Sequence, residues 1–221
     1  MIADSLNHRI LKLSATGSQL KFRDEQQPTK KEVVTVGAQG RGPGQFFSPF
    51  AIAADNQGYF FVADTKNDRV QKFDFQGYWQ ASWGEAGDLP GKFTEPRGIA
   101  VDNQGDVYVV DGENHRIQKF DNGGNISLIW GSKGSLPGQF NQPWGIAIDP
   151  KGNVYVVDRG NTRIQKFDPF GKFLMEWGRA GNSPGEFSNE GGAIGIAIDS
   201  RGYIYVSDGG NNRIQKFWVN K

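Results

Sequence analysis

The sequence predicts an all-β chain, a β-propeller of four-stranded antiparallel blades. Two observations carry that prediction: a repeat with a 47-residue period, and four short strands legible within each repeat. The segments Gly44-Gln45-Phe46, Gly91-Lys92-Phe93, Gly138-Gln139-Phe140 and Gly185-Glu186-Phe187 each start 47 residues after the one before. A second marker, Asn-x-Arg-(Ile/Val)-x-Lys-(Phe/Leu), places arginines at Arg9, Arg69, Arg116, Arg163 and Arg213, so five copies are present. The arginine intervals are 60, 47, 47 and 50. The long first interval holds its extra residues in the polar stretch from about Thr16 to Glu32. The last interval holds three extra around Glu190-Gly191-Gly192.

The elements follow in a fixed order, seen in the third copy. Gly98-Ile99-Ala100-Val101-Asp102 is a small apolar run suited to the crowded innermost position of a blade. Asn103-Gln104-Gly105 is a turn, and Val107-Tyr108-Val109-Val110-Asp111 is a β-branched second strand. Gly112-Glu113-Asn114-His115 turns the chain into Arg116-Ile117-Gln118-Lys119-Phe120. After Asn122-Gly123-Gly124-Asn125 comes Ile126-Ser127-Leu128-Ile129-Trp130-Gly131 as the outermost strand. Trp83, Trp130 and Trp177 end the fourth strands, where a large ring can pack between blades. Such strands and tight turns account for a composition of 31 Gly, 6 Trp and 16 Phe. A solenoid of parallel strands fits less well, because its coils need fewer residues and fewer hairpin turns.

The same bulk properties narrow the function classes. With 25 Lys and Arg against 24 Asp and Glu, the net charge of +1 supplies no global field for nucleic acid or anionic lipid. The absence of cysteine excludes disulfides, thiolate metal sites and a thiol nucleophile. No window approaches the roughly 18 apolar residues of a membrane helix. Met1-Ile2-Ala3-Asp4-Ser5 lacks the basic and apolar regions of a signal peptide, so the chain as given reads as soluble, with its compartment open.

Nearly the whole chain resembles the NHL repeat family. The resemblance is carried by Ala63-Asp64 with Asn67-Asp68-Arg69-Val70, Val110-Asp111 with Asn114-His115-Arg116-Ile117, Val157-Asp158 with Asn161-Thr162-Arg163-Ile164, and Ser207-Asp208 with Asn211-Asn212-Arg213-Ile214. It implies a propeller whose closed members have six blades, and functions that range over RNA and protein binding, extracellular sensing and a few lyases. The expected domain is a single one over 1–221, with repeats at about 1–37, 50–84, 97–131, 144–178 and 194–218. The first copy begins inside a second strand, at Ile2-Ala3-Asp4, and the last stops after its third. The expectation is therefore 18 strands, or 4.5 to 5 blades, in a piece of a longer six-bladed parent. Exposed blade faces at the two ends would favour self-association.

The recurring Asp and Arg pairs, Asp64 with Arg69, Asp111 with Arg116, Asp158 with Arg163 and Asp208 with Arg213, are expected to be structural, since a partly buried charge must be paired. Asn67 and Asn161 are expected to adopt left-handed turn geometry. Asp55, Asp102, Asp149 and Asp199, each three residues before a glycine, read as turn formers without calcium-loop spacing. The two histidines, His8 and His115, both fill the variable position of Asn-x-Arg, which leaves little for a triad or a zinc site. Gly40-Arg41-Gly42-Pro43-Gly44 reads as a blade connector rather than a phosphate loop. Asn125-Ile126-Ser127 is a glycosylation sequon at a turn-to-strand junction.

Function in a repeat scaffold is expected where the copies differ. Ahead of the innermost strand stand Phe50, Arg97, Trp144 and Ile194, and in the second-to-third loops Thr65, Lys66, Glu113, Arg159 and Gly209. The expected ligand face is formed by Phe50, Lys66, Arg97, Glu113, Trp144 and Arg159, with no catalytic residue, metal or cofactor. The leading expectation is a non-catalytic scaffold that binds a protein, peptide or glycan. A lyase or lactonase site and single-stranded RNA binding are the alternatives. The mixed charges of Glu113, Asp68, Lys66 and Arg159 weigh against RNA.

Overall fold

The computed structural model describes residues 1–11 and 35–218, so the stretch from Thr16 to Glu32 lies outside the described residues. Two compact units are present, Met1–Pro96 and Arg97–Lys221. Among the described residues, eighteen strands form five antiparallel sheets.

In the first unit, β1 (Ile2–Asp4), β2 (Arg9–Leu11) and β3 (Thr35–Val36) make a three-stranded sheet. A second sheet follows in the order β4 (Ala51–Ala54), β5 (Phe60–Asp64), β6 (Arg69–Phe73) and β7 (Trp79–Trp83). Ile10, Phe46, Phe60, Val62 and Phe73 bury together between these sheets.

The second unit contains, from Arg97 on, β8 (Pro96–Val101), followed by β9 (Val107–Asp111), β10 (Arg116–Phe120) and β11 (Ile126–Trp130) in one meander. The next is β12 (Pro143–Ile148), β13 (Val154–Asp158), β14 (Arg163–Phe167) and β15 (Phe173–Trp177). The last has three strands, β16 (Ala193–Ile198), β17 (Tyr203–Asp208) and β18 (Arg213–Trp218).

Burial explains why the strands read as they do. Every residue of β5, β9 and β13 is buried, because each second strand is covered on both faces, and its sequence is a continuous apolar run closed by an aspartate. The outermost β15 instead alternates between half-buried and exposed residues. Tyr108, Val110 and Ile117 of one sheet bury against Ile146, Val154, Val156 and Phe167 of the next. Neither face is closed by its own sheet, so this shared burial, worth about 1.5–3 kcal/mol per large side chain, is what makes the stack stable.

The innermost strands do converge. A Cβ added at Gly98 would lie 2.4 Å from the Trp144 carbonyl oxygen, and one at Gly145 would lie 2.6 Å from that of Ile194. Only glycine allows backbones so close.

The connectors carry the 47-residue marker. Phe46, Phe93, Phe140 and Phe187 are fully buried. Each forms an isolated parallel bridge, to Gln39, Ala86, Lys133 and Ala180 respectively. Gly131, at φ 95°, brings its backbone against the Phe140 ring, where a Cβ would sit 2.6 Å away. The first-to-second turns are closed as expected: Asp102 Oδ1 accepts the Gln104 N–H at 2.9 Å and the Asp106 N–H at 3.0 Å, and Asp149 and Asp199 repeat the arrangement.

One local expectation is corrected. Asn67 and Asn161 lie within short 3-10 turns, and the left-handed residue is the next one, Asp68 at φ 51° and Thr162 at φ 52°. The asparagine stays right-handed because its amide is held by the aspartate before the turn and by a connector carbonyl.

Candidate functional site

Four of the five repeats contain a buried polar clamp. Asp158 Oδ2 accepts from Arg163 Nε at 2.8 Å, from Gln165 Nε2 at 2.9 Å and from Asn161 Nδ2 at 2.9 Å, while its Oδ1 accepts the Asn141 N–H at 2.8 Å. Arg163 then donates to the carbonyls of Ser135, Leu136 and Gln139 in the connector. Asp64 with Arg69, Asp111 with Arg116, and Asp208 with Arg213 have the same contact at 2.7–2.8 Å. All four carboxylates are fully buried. Burial pushes the Asp208 carboxyl up, but bonds from Asn211, the Ser188 N–H and Arg213 outweigh it and hold the group below the usual carboxylate range.

The sequence reading missed one member of the clamp. Gln71, Gln118, Gln165 and Gln215 stand two residues after each arginine and are buried. Gln165 donates to the Gln139 carbonyl at 2.7 Å and accepts the Gly138 N–H at 2.8 Å, in addition to its bond with Asp158. The signal was available, since the same residue type recurs in four copies of the marker. A second omission is the role of the variable position. His115 Nδ1 accepts the Gln142 N–H at 3.0 Å, and in the first unit His8 does the same for Ser48 and Asp68 for Glu95. These side chains are acceptors for the following connector.

The residues expected to face a ligand lie at one end of their sheets. Strand register requires this: Pro143 pairs with Asp158, so the start of β12 adjoins the turn that follows β13. In the first unit, Phe50 is exposed just ahead of β4, and Lys66 forms an ion pair with Glu95.

In the second unit four residues meet. Arg97 Nη2 lies 2.5 Å from Glu113 Oε1. The Arg97 guanidinium stands 4.9 Å from the centroid of the Trp144 ring, and that of Arg159 stands 4.3 Å from it. Arg97 and Trp144 are corrections to the expected exposed loop positions: they fall inside β8 and β12, and Arg97 is only 8% exposed. The Glu113 carboxylate makes the burial of Arg97 tolerable.

Arg159 differs. It is half-buried, it makes no ion pair among the described residues, and its Nε has no hydrogen-bond partner among them. Among the described residues, no group of three or more His, Cys, Asp or Glu side chains is placed to hold a metal ion. No helix there is long and apolar enough to cross a membrane.

Four-stranded meanders stacked through shared faces and joined by buried clamps define a β-propeller. The NHL repeat family matches residues 93–120, 140–167 and 191–217 of the chain. Protein lin-41 of Caenorhabditis elegans is 42% identical over 48 residues, a match that spans 22% of this chain and 4% of lin-41. A streptogramin B lyase structure superposes with a TM-score of 0.62 at 16% identity, over 98% of this chain and 64% of that one. A catalytically inactive virginiamycin B lyase from Staphylococcus aureus with quinupristin gives 0.64 at 12%, over 100% of this chain and 73% of that one. A nidogen/laminin complex gives 0.61 at 19%, over 84% and 63%. The chain thus spans about two thirds of the length of these structures. At such identities the likeness concerns the fold alone.

Proposed function

We propose that this chain is a non-catalytic propeller scaffold that binds a protein, peptide or glycan through loop-end residues of its sheets, Phe50 and Lys66 in the first unit and Arg97, Glu113, Trp144 and Arg159 in the second. The observation that supports this reading most is the cluster around Trp144: a large indole held by two guanidiniums at a position where the copies otherwise differ in residue type. Trp and Arg are the side chains that most often dominate binding energy, and both are immobilised before any ligand arrives. The nidogen/laminin complex among the structures of like fold agrees with a protein partner, and the lyases keep catalysis as the competing reading. Catalysis is disfavoured by the engagement of His115 Nδ1 with the Gln142 N–H, which spends the nearest imidazole on structure.

The test is capture on immobilised chain, run in parallel with Trp144→Ala, Arg159→Ala and, as a control at the opposite strand ends, Lys151→Ala. The reading expects a ligand retained by the wild type and the control, lost from the other two, and recovered chemically unchanged. A ligand that is converted, or one bound equally by all four proteins, would overturn it.

A further inference from the structure

We infer that the Trp144 cluster recognises a carboxylate side chain of an acidic peptide, and that Arg159 is the residue that reads it. The inference rests on the binding-face reading above and narrows it to one ligand chemistry.

The argument begins with charge. Of the two guanidiniums on Trp144, that of Arg97 is already neutralised by Glu113 at 2.5 Å. Arg159 has no carboxylate partner among the described residues, and its Nε, itself buried, has no hydrogen-bond partner there. A planar fork of N–H donors without an acceptor is best completed by a carboxylate. Its orientation is fixed in advance, since the guanidinium is held 4.3 Å from the indole centroid. Little side-chain entropy is then left to lose on binding.

The surroundings select among anions. Glu113 contributes a negative charge to the same cluster, so a long polyanion such as RNA would meet repulsion a short distance from the cation it seeks. Base or sugar stacking is also pre-empted, because guanidiniums already occupy positions over the indole ring. What the cluster still offers is one charge with directional donors. Gly192 of the last connector adjoins the stem of Arg159, where an added Cβ would lie 3.5 Å from Arg159 Cγ. The inserted residue that adjoins Arg159 is therefore a glycine, which has no side chain to lay over it.

The test uses the ¹⁵N-labelled chain and two peptides of twelve residues, one alternating Glu with Gly and the other alternating Gln with Gly. The Arg159 Nε–H resonance is assigned by its loss in Arg159→Gln, and the Trp144 Nε1–H resonance by its loss in Trp144→Phe. The expected result is a saturable shift of both resonances with the Glu peptide, an affinity at least tenfold weaker for the Gln peptide, and loss of Glu-peptide binding in Arg159→Gln. Equal binding of the two peptides, or no shift of either resonance at millimolar Glu peptide, would overturn the inference. So would a twelve-nucleotide oligouridylate that binds through Arg159 more tightly than the Glu peptide. The peptide comparison needs only the wild-type protein, so it stands even if a variant folds poorly. A ligand captured by the wild type, lost in Trp144→Ala and retained in Arg159→Gln would sink this inference while leaving the binding face intact.

Discussion

Replacing Asp158 with alanine removes an acceptor that four groups use: Arg163 Nε, Gln165 Nε2, Asn161 Nδ2 and the Asn141 N–H, all within 2.9 Å. The carboxylate is fully buried, and the Arg163 side chain is 8% exposed. The loss therefore strands a buried cation and several donors, a change that costs about 3–5 kcal/mol. For a chain of this size each kcal/mol lowers Tm by roughly 2–4 °C, so the expected fall is roughly 6–20 °C. The assay is thermal and urea unfolding of Asp158→Ala, Arg163→Ala and the double variant. Because each single change leaves the other partner uncompensated, the double variant should lose less than the sum of the two, by about 0.5–3 kcal/mol. Arg163 also pairs with Glu176 and holds connector carbonyls, so Arg163→Ala should itself be costly. A cost for Asp158→Ala under about 1 kcal/mol, or strict additivity in the cycle, would refute the clamp as the reason for this pair, since both results would place the carboxylate in water.

Three further outcomes follow from the same geometry. Gln165→Ala should destabilise by about 1–3 kcal/mol and speed hydrogen exchange at the Gly138 N–H, which loses its acceptor. Gly145→Ala should cost about 1–3 kcal/mol by overpacking, measured by urea unfolding, whereas alanine at exposed Lys151 should change stability by under about 0.5 kcal/mol. Burial, then Lys133, holds the His115 imidazole below its usual value of 6.5. The unfolded chain thus binds the proton first, and the stability tied to neutral His115 is full above about pH 6.5 and lost as pH falls through the folded value. Chemical shifts of His115 should titrate below 6.5, with faster exchange of the Gln142 N–H at low pH.

Much of the architecture was legible in the residues because the repeat forces each strand to recur with the same neighbours. The sheet order, the pairing of Asp111 with Arg116 across a hairpin, and the crowding at Gly98 all follow from patterns that act over a few residues or one period. The glutamine of the clamp was visible too, as a recurring residue two places after each arginine, but its significance lies in reaching a connector carbonyl 26 residues away. Local pattern carries no such distance. The left-handed turn position was likewise misplaced by one residue, because side-chain bonds from a connector decide which residue takes the strained conformation.

Sequence alone determined the fold class, the period, the strand order and the pool of residues from which a ligand face could be drawn. Only tertiary structure decided that, in the Trp144 cluster, Arg97 is neutralised by Glu113 while Arg159 has no carboxylate partner among the described residues and a buried Nε without a hydrogen-bond partner there. The physical reason is that both arginines are equally cationic in the sequence. Whether a charge is spent or available depends on which carboxylate folding brings to within a few ångströms of it.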